Sequence, residues 1–201
     1  MAAASARTAL VAIAAGAVLL GGGAVYLLGP NSPLREQQMA LVDIGGPFKL
    51  TTQDGKPLSN EDLKGSPFAV FFGFTHCPEV CPTTLWEMSE ALKALGDKAD
   101  KLKVLFVSVD PERDTPEFMS SYLKSFDPRI IGLTGSQEAI ASVGKAYRAY
   151  WKKVPTDGGD YTMDHTASVY LMDAEGRFSG VISYQEDPKV RLAKLERLVN
   201  G

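Results

Sequence analysis

Apolar and polar positions fall into blocks that read alternately as strands and helices. Phe48–Thr52 and Lys56–Leu58 flank Gln53-Asp54-Gly55, an Asp-Gly turn that predicts a β-hairpin. Phe68–Phe74 (FAVFFGF) is one continuous apolar run, the pattern of a strand buried on both faces. Pro82–Leu95 reads as a helix ended by Gly96, and Val104–Val109 as a second buried strand. Thr115-Pro116-Glu117 opens another helix with proline at its first position. Ile130–Leu133 is a short strand, followed by a helix over Gln137–Tyr147 with Ser136 as its N-cap. Ser168–Met172 and Phe178–Ser183 are strands joined across Ala174-Glu175-Gly176, and Pro188–Val199 closes the chain as an amphipathic helix. Strands alternating with helices, then a final hairpin and helix, predict an α/β fold with a mixed central sheet covered on both faces.

The N-terminal pattern is different. Thr8–Leu28 is almost entirely Ala, Val, Ile, Leu and Gly, and no charge appears from Thr8 to Leu34. About 20 apolar residues span a bilayer as a helix, whereas the apolar core of a cleaved signal peptide is about 7–15 residues. Residues 8–28 are therefore expected to be an uncleaved transmembrane anchor. Residues 1–7 then form a short cytoplasmic N-terminus, 29–40 a tether with Pro30 and Pro33, and 41–201 the folded domain. Arg7 precedes the apolar run, so the positive-inside tendency places the domain on the outer side. A single arginine does not make an Arg-rich mitochondrial presequence. The expectation is a single-pass protein of a bacterial inner membrane with its domain in the periplasm, ahead of the mitochondrial inner membrane.

Composition narrows the function. The 201 residues carry 21 Lys+Arg and 24 Asp+Glu, a net charge of −3, which argues against nucleic-acid binding through bulk charge. Two cysteines exclude a multi-disulfide scaffold and a four-cysteine metal site, and two histidines exclude a three-histidine site.

Both cysteines fall in Thr75-His76-Cys77-Pro78-Glu79-Val80-Cys81-Pro82, between the Phe68–Phe74 strand and the helix that follows. A strand, a cysteine-bearing turn and a helix in this order is how thioredoxin-like folds begin their active site. Spacing of i, i+4 in a helical turn puts the two sulfurs on one face, and a helix N-terminus stabilises thiolate. The same spacing permits a disulfide, so on the oxidising side of a membrane the pair could cycle between dithiol and disulfide. Two thiolates need at least one more ligand to hold a metal, and only His76 and His165 are available. His76 adjoins Cys77, so its side chain is expected to diverge. His165, in Asp164-His165-Thr166, precedes the Ser168–Met172 strand; a lone histidine is ordinarily a hydrogen-bonded structural residue, here set against two thiolates that want an imidazole. Two thiolates and one imidazole form a soft set that suits Cu(I). Met163 reads as a core residue rather than an axial thioether. Asp110 and Asp114 read as strand-end and capping residues, with Asp114 or Thr115 as the cap of the next helix and a charged docking rim as the functional alternative. Tyr147, Tyr150 and Trp151 read as core packing ahead of a flexible Gly158-Gly159 loop.

Four stretches resemble the Sco/SenC family of copper chaperones: FFGFTHCPEVCP at Phe71–Pro82, SVDPERDTP at Ser108–Pro116, GLTGS at Gly132–Ser136 and DHTASVYLMD at Asp164–Asp173. The resemblance implies a thioredoxin-like fold with an added N-terminal β-hairpin and a membrane anchor. It implies copper, Cu(I) or Cu(II), held by Cys77, Cys81 and His165. It implies a metallochaperone rather than an enzyme, acting on cytochrome c oxidase subunit II by copper delivery, by cysteine reduction, or both, with another copper chaperone as a conceivable donor. Glu79 stands where the family often has Asp, and it is left out of the ligand set.

Dithiol oxidoreductases keep a cis-proline opposite their cysteines, whereas this chain has Asp164-His165-Thr166 there and no proline between Thr156 and Pro188. That favours metal binding over general disulfide exchange. The alternative is a thiol–disulfide oxidoreductase that uses Cys77 and Cys81 without His165. A peroxiredoxin-like peroxidase ranks last, because no Pro-x-x-x-Thr-x-x-Cys motif surrounds Cys77.

Overall fold

The structure, a computed structural model, describes residues 44–201. The expected anchor at 8–28 and tether at 29–40 lie outside the described residues, as do residues 1–7 and 41–43. Among the described residues, no helix is long and apolar enough to cross a membrane.

Among the described residues, nine strands and four α-helices follow in order: β1 (Lys49–Thr52), β2 (Pro57–Ser59), β3 (Phe68–Gly73), α1 (Val80–Leu95), β4 (Lys103–Ser108), α2 (Pro116–Leu123), β5 (Ile130–Thr134), α3 (Gln137–Tyr147), β6 (Trp151–Pro155), β7 (Tyr161–His165), β8 (Val169–Met172), β9 (Phe178–Ile182) and α4 (Pro188–Asn200). Seven strands form one sheet in the order β2-β1-β5-β4-β3-β8-β9. β3, β4 and β5 run parallel through helical connections, as such crossovers require. β8, β9, β1 and β2 add on antiparallel. This is the mixed α/β sheet that the sequence pattern predicts, and β1 and β2 pair across the Asp-Gly turn.

β3 is buried along its whole length because both faces are covered. Phe71 and Gly73 meet Phe106 and the start of α1, where a Cβ on Gly73 would lie 2.7 Å from Cys81 Sγ. Phe72 points to the opposite face, with its ring 5.5 Å from that of Tyr147 on α3. The period of two along a strand thus separates the two halves of the core. Helix α4 closes over α1 through buried Arg191, which pairs with Glu87 at 2.9 Å.

Two readings differ from the structure. Helix α1 begins at Val80, not Pro82. Proline is tolerated in the first turn because that N–H has no intrahelical partner in any case. The second difference is larger: the segment read as a flexible glycine loop is the turn of a second hairpin, β6–β7. Gly158 and Gly159 have φ of +89° and +85°, so both glycines serve the turn itself. The two strands were hard to read because β6 is mostly exposed and lacks an apolar alternation. Of the aromatics beside it, Tyr147 is buried and Tyr150 exposed. Trp151 packs across Gly144.

Candidate metal centre

The parallel strands β3 and β4 end side by side, and the loops that leave them build the site. Asp114, fully buried, accepts from the Thr75 amide at 3.0 Å, from Thr75 Oγ1 at 2.5 Å and from Ser108 Oγ at 2.6 Å. One carboxylate therefore fixes the start of the cysteine loop to the end of β4. Thr115, not Asp114, caps α2, accepting from the Phe118 amide. Asp110 and Asp114 are both buried, so neither belongs to a charged rim.

Cys77 is half-buried in the turn before α1, and Cys81 is fully buried in the first turn of that helix. The N-cap residue Glu79 makes no side-chain cap. The Cys77 sulfur takes that role, accepting from the Cys81 amide at 3.4 Å. The neighbouring Cys81 thiol, His165 and these amide donors lower the Cys77 pKa to about 4. Burial, reinforced by the Cys77 thiolate, pushes the Cys81 thiol well above the ordinary range. The two shifts run in opposite directions, so Cys77 is the sulfur favoured as thiolate and Cys81 the one favoured as thiol.

His165 ends β7, opposite Trp151 of β6. Its Nδ1 lies 3.0 Å from the Thr166 carbonyl oxygen. A carbonyl only accepts, so the tautomer that satisfies this contact carries its proton on Nδ1. The lone pair of Nε2 then faces Cys81 Sγ, 3.5 Å away. Phe71 and Phe74 flank the imidazole with centroids at 6.0 and 5.7 Å. The three ligand atoms of Cys77, Cys81 and His165 all lie within 4.8 Å of one another. Cys77 and His165 line a cleft of about 250 Å³, and Cys81 is sealed in the core behind them. The structure thus gathers all three residues singled out in the sequence. Such a set can hold a soft cation, or form a disulfide and leave the imidazole free.

The other candidates go elsewhere. His76 turns away to stack on Phe118, with centroids 5.0 Å apart and planes at 10°. Met163 is buried in the wall of the cleft. Glu79 is exposed and accepts from the Tyr184 hydroxyl at 3.4 Å. Sequence reasoning missed Gly73, whose absent side chain leaves room for the Cys81 sulfur, and Arg113, which grips the hairpin carrying His165. A glycine inside an otherwise bulky apolar strand was the available signal for the first. The second lies within the SVDPERDTP stretch at Ser108–Pro116, but no local pattern there assigns it a role.

A profile described as SCO1/SenC matches residues 36–200. The SCO2-like protein of Rickettsia felis is 37% identical over 181 residues, covering 86% of this chain and 88% of that protein. The structure of Bradyrhizobium japonicum ScoI with copper bound is similar at 55% identity, with a TM-score of 0.73 over 77% of this chain and 99% of that one. BsSco, described as a member of the Sco family of cytochrome c oxidase assembly proteins with a disulfide switch, is similar at 26% identity, with a TM-score of 0.64 over 79% and 95% of the two chains. With most of its length matched, and with the strand, turn and helix order of a thioredoxin-like fold, this chain belongs to the SCO1/SenC family.

Proposed function

We propose that this chain is a membrane-anchored copper chaperone that assembles the dinuclear copper centre of cytochrome c oxidase subunit II, carrying copper on Cys77, Cys81 and His165. The convergence of those three ligand atoms within 4.8 Å carries the proposal. Copper as the cargo is supported by the copper-bound ScoI relative and by the softness of two thiolates and one imidazole. The oxidase as the target is supported by the description of BsSco. Anchoring rests on the apolar run at 8–28, and the single charge before it, Arg7, orients the domain to the periplasmic side of a bacterial inner membrane.

The two sulfurs divide the work. Cys77 is partly accessible and already a thiolate, so it meets incoming copper first. Cys81 is sealed in the core and gives up its proton only as the metal binds. His165 offers Nε2, with its Nδ1 directed at the Thr166 carbonyl. Release to a docked partner runs in reverse, by exchange of the exposed ligand first.

A second reading, a thiol–disulfide reductase for the oxidase cysteines, is favoured by one observation. An ionised outer thiol beside a protonated inner one is the arrangement of an attacking and a resolving cysteine. Replacing His165→Ala in cells separates the two. The copper account expects loss of the oxidase's dinuclear copper centre. Assembly that survives the change would leave reduction as the working chemistry.

A further inference from the structure

The β6–β7 hairpin is not hydrogen-bonded into the seven-stranded sheet, yet it carries His165. A lone two-stranded ribbon is marginally stable, so side chains must hold it in place. At its base Trp151 covers Gly144 so closely that a Cβ there would lie 2.1 Å from the indole. Its other strand is gripped by the loop between β4 and α2. Arg113 Nη1 donates to the Tyr161 carbonyl at 3.0 Å and to Asp160 Oδ1 at 3.4 Å. The guanidinium carbon lies 3.8 Å over the Tyr161 ring. The Tyr161 hydroxyl donates to Asp110 Oδ1 at 2.9 Å, and Asp110 accepts from Arg113 Nε. These three residues close a ring of contacts around a carboxylate that is 1% exposed.

The ring has a cost that a solvated surface arginine avoids, since Arg113 Nη2 is buried with no hydrogen-bond partner. It also has a direct line to the metal site. Tyr161, Met163 and His165 share one face of β7, so the gripped end and the ligand are about 13 Å apart on one extended strand. Phe74 stands between them, its centroid 5.9 Å from the Arg113 guanidinium and 5.7 Å from the His165 ring.

The geometry points to Arg113, Asp110 and Tyr161 as a latch that positions His165 against Cys77 and Cys81. Arg113 is thus a positioning residue for metal binding, which rests on the copper reading above. Residues that orient a metal ligand without touching the metal commonly change affinity by about 10-fold to 100-fold.

The test uses the full chain with reduced cysteines and compares wild type, Arg113→Gln, Tyr161→Phe and His165→Ala. Amide hydrogen exchange is read first, without metal. Arg113→Gln should speed exchange of the Tyr161–His165 amides by about 10-fold or more, with β3 and β4 unchanged, because a charge-assisted contact is lost. Cupric ion is then added, and the thiolate-to-copper absorption is recorded. The Arg113→Gln spectrum should shift toward that of His165→Ala, with Tyr161→Phe intermediate. Unchanged hairpin exchange in both latch variants overturns the proposal, and so does a loosened hairpin with a wild-type copper spectrum. Should Arg113→Gln fail to fold, Tyr161→Phe decides by the same two readings. Identical copper spectra for wild type and His165→Ala would instead refute the copper reading, while the exchange data still decide whether the latch exists.

Discussion

His165 Nε2 lies 3.5 Å from Cys81 Sγ across 84 residues of sequence. The contact joins the hairpin to the start of α1, and nothing local in the chain creates it. It depends on three things already described: the room left by Gly73, the Asp114 anchor under the cysteine loop, and the Arg113 latch on β7.

The two thiols should titrate far apart. Cys77, lowered to about 4 from an ordinary 9.0, is a thiolate at neutral pH, while Cys81 stays protonated. Thiolate absorbance near neutral pH should therefore report one of the two sulfurs, and iodoacetamide should label Cys77 well before Cys81. Two thiols titrating together near their ordinary value would rule this out.

Stability of the reduced, metal-free protein should follow from the same asymmetry. A folded pKa below the unfolded one means that the unfolded state binds more protons between those two values. The Cys77 contribution is thus complete above about pH 9 and is lost as pH falls toward about 4. Cys81, shifted the other way, loses its contribution as pH rises above the unfolded thiol value. Urea midpoints of wild type and Cys77→Ser measured from pH 4 to pH 9 should converge at the acid end. A constant gap across that range would count against the assignment.

Copper loading at neutral pH should release about one proton per metal, the one held by Cys81. Affinity should accordingly weaken as pH falls, more steeply once Cys77 also takes up a proton. Calorimetry in two buffers of different ionisation enthalpy measures the count. Release of two protons would place Cys77 in its protonated form.

Gly73→Ala tests the packing behind the site. The added methyl would sit 2.7 Å from Cys81 Sγ and 2.8 Å from the Phe106 ring, both held in the core. Overpacking of this kind costs about 1–3 kcal/mol, readable in denaturant unfolding. Copper affinity should fall as well, because the sulfur that must move is a proposed ligand. A variant as stable as wild type would show that Cys81 has more room than the structure gives it.

Much of this could be read from residues alone, and the exceptions have a common cause. β3 and β4 are legible because burial on both faces leaves a continuous apolar run, and α1 because its buried residues recur at helical spacing up to Gly96. The cysteine pair was legible because the strand before it and the helix after it were. The β6–β7 hairpin was not, since it lies off the main sheet and β6 faces solvent. Asp110 and Asp114 looked like capping residues because the sequence has no way to show that the loop carrying them is buried. His165 was selected by the needs of the two thiolates; its position on the hairpin, and the latch that holds it, depend on tertiary contacts.

The most direct test is the copper stoichiometry of the reduced full chain, with wild type measured beside His165→Ala. The account predicts about one copper per wild-type chain, matching one soft three-ligand site, and loss or marked weakening in the variant. Equal uptake by both proteins, or none by either, would contradict it and leave the dithiol of Cys77 and Cys81 as the working chemistry.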